Sequence, residues 1–494
     1  MGILSMHEHL QNVIQFLELW GWIPLTIMYV GVIITILVEN RNPTKTISWV
    51  LVIVFLPFVG LILYYLFGQK FSKVKKLKRI NQEQTLRLKK EFQRLEPLMK
   101  WSIRNIQSKI GDFSRVYSYL KNEKLSTPTL NNEVTLLVNG EQMFPALLEA
   151  LEAAQHSIHM EFYIFDVDNI GMKVLNLLEK KASEGVIVRL IVDSFGSPKL
   201  VRYMRKKKDS KIEFEPFLPV TFTSLANSNY RNHRKITVID GFVCFIGGIN
   251  ISDRYSNPNN FELYWRDTSV KIVGNVGAMF QISFWNQWNQ TNGKSFNLEE
   301  GYLRETPVVT DQLSAVALSS SDPGSIGPFN MEALLISIGE ASESIKLCTP
   351  YFIPSEELST ALKTSAAAGV NVELMIPKEG DSWIVQHATY SYLKPLLERG
   401  VKVYLYEKGF LHAKTSVIDG KIAYVGTVNL DFRSFYINYE VAAVISNKDF
   451  CQEMEKQFEI DKGNSNSITI KEWKKRNVWK RGFDSLCRLL APLL

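Results

Sequence analysis

His233-Arg234-Lys235-Ile236-Thr237-Val238-Ile239-Asp240 returns, 179 residues later, as His412-Ala413-Lys414-Thr415-Ser416-Val417-Ile418-Asp419. Both copies spell H-x-K-x-x-x-x-D, and in both the polar and apolar positions alternate as in a half-buried strand. His and Lys, two apart, project from one face of such a strand. The register persists downstream. Counted from each His, Gly falls at +8 (Gly241, Gly420) and +14 (Gly247, Gly426), Asn at +17 (Asn250, Asn429) and Arg at +21 (Arg254, Arg433). Each block is expected to run as strand, tight Asp-Gly turn, second strand (242–246 and 421–425), then a Gly-containing loop that returns the Asn to the His-Lys pair.

The repeat extends upstream. Ala146-Leu147-Leu148 through Ser157-Ile158 aligns without gaps to Ala333-Leu334-Leu335 through Ser344-Ile345, and Gly185 to Val192 aligns to Gly369 to Ile376. The offset between copies drifts only from 187 to 184 to 179. Two α/β domains are expected, 133–300 and 325–460, joined by a linker at 301–324, with the loop 319–328 (SSSDPGSIGP) at the junction. Their near-continuous apolar strands, each following an amphipathic helix, call for mixed sheets covered on both faces.

Nearer the N-terminus, 20–38 and 47–68 carry no charge, and each is long enough to cross a hydrocarbon layer of about 30 Å as a helix. A transmembrane hairpin is expected rather than a signal peptide, because the leader has no Lys or Arg and a second span follows. Lys70, Lys73, Lys75, Lys76, Lys78 and Arg79 come next, a positive run that marks the cytoplasmic side and attracts anionic headgroups. Residues 1–19 read as an interfacial helix or a disordered leader, and 69–132 as a basic helical linker. The tail, 461–494, mixes Trp473, Trp479 and Phe483 with Lys474, Lys475, Lys480 and Arg481. It suits either a membrane-water boundary or a helix docked on the body.

At 494 residues and 46% hydrophobic content the chain can fill two cores. Its formal charge of +7 favours an anionic partner. The four cysteines (Cys244, Cys348, Cys451, Cys487) have no paired spacing, so neither a disulfide framework nor a zinc site is indicated, and reduced thiols fit a cytosolic body.

Of seven histidines, two occupy equivalent places in the duplicated block. Two imidazoles and two ammoniums meeting at a pseudo-twofold interface would form a strongly positive site suited to a phosphate. Lys is not an expected metal ligand, and no further His or carboxylate completes a short-spaced set, so no metal is expected. One imidazole would attack phosphorus while the other protonates the departing alkoxide. Lys235, Lys414, Asn250 and Asn429 would hold the non-bridging oxygens, with Thr427, at the position of Gly248 in the first copy, adding a hydroxyl in one half only. A nucleophilic imidazole needs a carboxylate on its other nitrogen. Glu440 is the candidate for His412, and Asp267, in Tyr264-Trp265-Arg266-Asp267, for His233, with Glu262 competing. Asp240 and Asp419 precede a turn glycine, so they either secure the hairpin or join the chemistry.

These residues resemble those of the phospholipase D superfamily. With the two N-terminal spans, Asn42-Pro43, Trp265-Arg266-Asp267 and the ending Arg488-Leu489-Leu490-Ala491-Pro492-Leu493-Leu494, the chain is similar to bacterial cardiolipin synthases over nearly its whole length. The resemblance implies two tandem phospholipase D-like α/β domains with mixed sheets facing each other, preceded by a transmembrane helical hairpin in the cell membrane. It implies transfer of a phosphatidyl group from one phosphatidylglycerol, through a phosphatidyl-histidine, to a second, giving cardiolipin and glycerol without a cofactor. It also implies that His233 is the nucleophile and His412 the acid and then the base, an order that near-symmetry leaves open. The motif equally allows a membrane-bound phospholipase D-type hydrolase, another phosphatidyltransferase or a nuclease. The two spans and the basic run beside them make lipid, not nucleic acid, the nearer anion.

Overall fold

The Asp-Gly pairs at 240–241 and 419–420 close both hairpins with two successive positive φ values, +51° and +81° in the first, +51° and +60° in the second. That conformation matches the right-handed twist of the strands it joins, and it suits a short polar residue followed by glycine. The computed structural model describes Trp20 and residues 22–38, 43–64, 113–123, 126–218, 230–257, 263–292 and 314–489. The chain forms two compact units, Met1–Lys75 and Lys76–Leu494.

In the larger unit the first repeat supplies β1 (Asn132–Val138), β2 (Ser157–Phe162), β3 (Ile187–Asp193), β4 (Glu213–Phe217), β5 (Lys235–Ile239), β6 (Val243–Gly247), the short β7 (Trp265–Arg266) and β8 (Thr268–Gly274). The second supplies β9 (Ala315–Ser321), β10 (Ser344–Cys348), β11 (Phe352–Ile353), β12 (Asn371–Pro377), β13 (Lys402–Tyr406), β14 (Phe410–Leu411), β15 (Thr415–Ile418), β16 (Ile422–Gly426), β17 (Leu430–Asp431), β18 (Glu440–Ser446) and β19 (Ser465–Ile468). One sheet runs β1-β8-β6-β5-β2-β3-β4 and the other β19-β13-β12-β10-β15-β16-β18-β9. Read from its far end, the second order repeats the first strand for strand, with β19 added at the edge. Both sheets are mixed: β2, β3 and β4 pair in parallel, as do β10, β12 and β13, while the motif hairpins pair antiparallel.

Helices Asn139–Ala153 and Asn169–Ser183 pack on the first sheet through Leu147, Val174 and Leu178, and Phe329–Glu340 and Glu356–Ala367 pack on the second through Leu334 and Leu362. The opposite faces meet each other. Ile236, Val238, Ile246 and Val270 share one buried cluster with Val417, Val425, Val441 and Ala443. Each such Ile or Val side chain stabilises the seam by about 1.5–3 kcal/mol relative to exposure, so the two halves are held as one body.

Three expected boundaries move. β9 falls in the stretch read as a linker, because its serine-rich end resembles a loop; burial along nearly its whole length beside β18 makes it a strand. β19 extends the second sheet into the stretch read as tail. The helix Ser114–Asn122, expected in the basic linker, buries Val116, Tyr117 and Leu120 in the second half's core, and the Tyr117 hydroxyl donates to Ala315 O at 3.1 Å.

In the smaller unit the helix Trp22–Val38 spans 17 residues. The second expected span is two helices, Pro43–Phe55 and Pro57–Leu63, because Pro57 cannot donate a backbone N–H and starts a new first turn. Among the described residues no helix is long and apolar enough to cross a membrane. The helices bury Ile36, Ile53 and Tyr64 together and leave Ile34, Leu37, Phe55 and Phe58 exposed. The leader, residues 65–68 and the basic run 70–79 lie outside the described residues.

Candidate active site

β5 begins at Lys235 and β15 at Thr415, so each motif His stands just ahead of its strand. There the two halves exchange backbone hydrogen bonds. His233 N–H donates to Tyr439 O at 3.0 Å, and Tyr439 N–H donates to Arg231 O at 3.0 Å. In the related place β14 pairs in parallel with β7, Phe410 facing Trp265, and His412 N–H donates to Arg266 O at 2.7 Å. The residue after each partner is a carboxylate. His233 Nδ1 lies 2.9 Å from Glu440 Oε1, and His412 Nδ1 lies 2.6 Å from Asp267 Oδ2.

The carboxylates are therefore those expected from the sequence, but each serves the histidine of the opposite half. The expected pairing is reversed because the short parallel contacts between halves, not the loops within a half, carry Glu440 and Asp267 to their places. Glu262 lies outside the described residues. A buried ion pair supports the crossing: Arg266, on β7, meets Asp461 of the helix Lys448–Gly463, Nε at 2.8 Å and Nη2 at 2.7 Å.

A carboxylate only accepts, so each Nδ1 carries the proton and each Nε2 presents its lone pair. Burial lowers His233 to about 4, Glu440 opposing and Lys235 assisting. Burial and then Lys414 lower His412 to about 3, against Asp267. Both imidazoles are neutral at pH 7. Burial also brings Lys235 down to about 7 and Lys414 to about 8, the carboxylates of both halves opposing it. Because Lys414 acts on His233 and Lys235 on His412, the two motifs form one electrostatic cluster. Burial alone would raise Glu440, yet His233, Lys235 and the Thr427 hydroxyl hold it below the usual carboxylate range. Each ammonium donates to the carbonyl of its own motif His, at 2.7 Å for Lys235 and 2.6 Å for Lys414, which leaves two N–H per lysine for a ligand.

Other expected members take different places. Thr427 donates its hydroxyl to Glu440 and accepts from Val441 N–H at 3.0 Å, so it holds the carboxylate rather than a phosphate. In the first half Gly248 has no side chain because a Cβ there would lie 2.2 Å from Asp267 Oδ1. Asn250 accepts from Ile164 N–H at 3.1 Å and donates to the Tyr255 hydroxyl at 2.6 Å, which commits both ends of its amide. Asn429, unlike Asn250, keeps a buried amide oxygen without a hydrogen-bond partner among the described residues.

Asp240 and Asp419 face away from the chemistry. Asp240 accepts from the N–H groups of Gln155, His156 and Ser157 at 2.7–2.9 Å, and Asp419 from those of Ser342, Glu343 and Ser344 at 2.8–2.9 Å. Of their two sequence readings, the hairpin-securing one fits. For Asp419 burial alone would raise the carboxyl, but the backbone donors outweigh it. Asp419→Ala strands those donors and should cost about 2–3 kcal/mol in chemical denaturation, while the folded fraction keeps its turnover per molecule. Loss of turnover without loss of stability would return Asp419 to the chemistry.

Two residues escaped the sequence reading. Tyr163 meets the His233 ring edge-on at 5.1 Å, and Tyr255 meets that of His412 at 5.6 Å. At the offset of 187, Tyr163 aligns with Pro350, so the duplication gave no signal.

A model described as a cardiolipin synthase, phospholipase D-like domain matches residues 147–285 and 334–462, and one described as a phospholipase D-nuclease N-terminal segment matches 27–69. The chain is 35% identical over 473 residues to a cardiolipin synthase of Alkalihalophilus pseudofirmus, covering 95% of this chain and 92% of that one. It is 37% identical over 464 residues to cardiolipin synthase 2 of Bacillus cereus, covering 93% and 88%. In fold it is similar to the crystal structure of a phosphatidylserine synthase from Haemophilus influenzae, at a TM-score of 0.60 and 16% identity, over 77% of this chain and 97% of that one. With the doubled sheet and crossed histidines in view, the chain belongs to the phospholipase D-like cardiolipin synthases, a family of phosphatidyltransferases.

Proposed function

We propose that the protein is a cardiolipin synthase working by two-step transfer between its crossed histidines. His233 Nε2 attacks the phosphorus of one phosphatidylglycerol, the bond to the headgroup glycerol oxygen breaks, and His412 delivers a proton to that oxygen, releasing glycerol. His412 then removes the proton from a headgroup hydroxyl of a second phosphatidylglycerol. That oxygen attacks phosphorus, the phosphorus–nitrogen bond breaks, and cardiolipin leaves with His233 regenerated. Lys235 and Lys414 stabilise the charge on the non-bridging oxygens, and Asn429 completes that shell with its amide N–H. Glu440 stabilises the imidazolium that forms on His233, and Asp267 does so for His412. The anionic phosphate entering between two ammoniums offsets their repulsion and lets His412 Nε2 take from water the proton that it gives to the glycerol oxygen and regains from the acceptor hydroxyl.

The observation that carries this reading is a carboxylate bonded to Nδ1 of each imidazole, which leaves two Nε2 atoms for one phosphorus. We also read residues 20–38 and 47–68 as a hairpin that anchors the body on the cytoplasmic face of the cell membrane. Exposed apolar side chains on those helices and the basic run after them support that placement.

Full-length protein in vesicles of headgroup-labelled phosphatidylglycerol should give cardiolipin and free glycerol in equal amounts; phosphatidic acid as the product would mean a hydrolase instead. In kcat/KM, which reports the free enzyme, the rate should fall as pH rises through about 7 to 8, where the buried lysines lose their charge. It should also fall as pH drops toward about 4, where His233 gains a proton. A profile flat from pH 6 to 10 would contradict charged lysines in the transition state.

A further inference from the structure

We propose that the C-terminal helix Val478–Arg488, with the first turn of Trp383–Glu398, forms a docking patch that rests on the surface of an anionic phospholipid bilayer beside the mouth of the active site. The proposal builds on the lipid-substrate reading above and adds the surface by which the body meets the bilayer holding that substrate.

At 100° per residue the C-terminal helix shows three faces. One docks on the body: Asp484 and Cys487 are buried, with Asp484 2.7 Å from His387 Nδ1 and 2.8 Å from Arg476. The second carries Val478, Trp479, Leu486 and, at its cap, Leu489, all on one side. Trp479 is 83% exposed and Leu489 72%. Trp383, 60% exposed, packs on Phe483 at 4.7 Å and continues this apolar strip onto the body. Arg481 and Arg488, on the flank between the strip and the docked face, and Lys475 and Lys480, at the start of the helix, have exposed side chains. The buried Asp484 sits on the docked face, where it pairs with Arg476.

A stripe of indole and aliphatic groups flanked by cations matches the boundary of a membrane whose headgroups are negative. A second copy of the chain fits poorly. An isologous contact would set these cations against themselves, and so few side chains fall short of the roughly 1,200 Å² a stable dimer buries.

Position supplies the second argument. Asp381, two residues before Trp383, accepts from the Tyr351 hydroxyl at 2.6 Å, and its charge acts on Lys414. The Tyr351 ring lies 6.5 Å from Phe410, which lies 5.7 Å from the ring of His412. The apolar strip thus begins two aromatic rings from His412, and on the proposal a lipid headgroup enters from this side while its acyl chains remain in the bilayer.

The test uses full-length enzyme in phosphatidylglycerol vesicles. Trp479→Ser with Leu486→Ser should lower cardiolipin formation from bilayer phosphatidylglycerol about ten-fold, and leave the rate on monomeric short-chain phosphatidylglycerol unchanged. Equal loss on both substrates would assign these residues a structural role and overturn the proposal, as would no loss on either. A readout independent of turnover separates this proposal from the function reading. A bimane attached at Leu486→Cys should be quenched by phosphatidylglycerol brominated on its acyl chains, and less so when phosphatidylcholine replaces the anionic lipid. No quenching, or a signal that depends on protein rather than lipid concentration, would overturn it even if cardiolipin is made.

Discussion

His233→Ala is expected to abolish turnover, lowering kcat by about 10⁴-fold or more, and His412→Ala should match it on phosphatidylglycerol. Were each half a complete site, either variant would keep about half the activity. The geometry excludes that arrangement, since each half holds one imidazole and the carboxylate for the other. The two variants should part company on a substrate whose leaving alcohol needs no proton. With the p-nitrophenyl ester of phosphatidic acid, His412→Ala should release one equivalent of nitrophenolate in a burst and then stall for lack of the base. His233→Ala should give no burst. Stopped-flow absorbance reads both.

Glu440→Gln should cost about 10²- to 10⁴-fold in kcat, although Gln fills the same space and its amide can still reach Thr427 and His233. The lost charge is the one that stabilises the cation on His233 once phosphorus is bound. The activated ester should therefore not restore the nitrophenolate burst of Glu440→Gln, whereas it should restore that of Asp267→Asn, whose fault in the first step lies in proton delivery through His412. The uncrossed pairing expected from the sequence assigns the rescue to the other variant, so this pair of measurements decides the crossing. It also tests the network: Thr427→Val removes a hydrogen bond to Glu440 and should share its pattern at smaller size.

What the sequence revealed and what it hid have physical reasons. The motif hairpins were legible because alternation and an Asp-Gly turn are local, and both Asp residues adopt the positive φ such turns require. Two related α/β domains followed from the repeat, whose offset drifts by only eight residues. Glu440 and Asp267 were legible as acids in the right blocks, but their partners were not. The contacts that cross them, β7 with β14 and Asn232 with Tyr439, are one or two residues long and carry no periodicity. Thr427 and Asn250 looked like phosphate ligands because polar residues after a glycine turn commonly are. Only packing shows their hydrogen bonds already taken by Glu440 and by Tyr255. β9 was hidden by composition, since three serines in a row read as loop until burial beside β18 is seen.

The most direct measurement is peptide mapping of His412→Ala after exposure to the activated ester and an alkaline quench, conditions under which a phosphorus–nitrogen bond survives. Two half-sites converging on one phosphorus predict a single phosphatidyl group per chain, carried on the peptide holding His233 and absent from His233→Ala. A burst of nitrophenolate that leaves no lipid on that peptide, or leaves it on a hydroxyl or carboxyl side chain, would contradict the account.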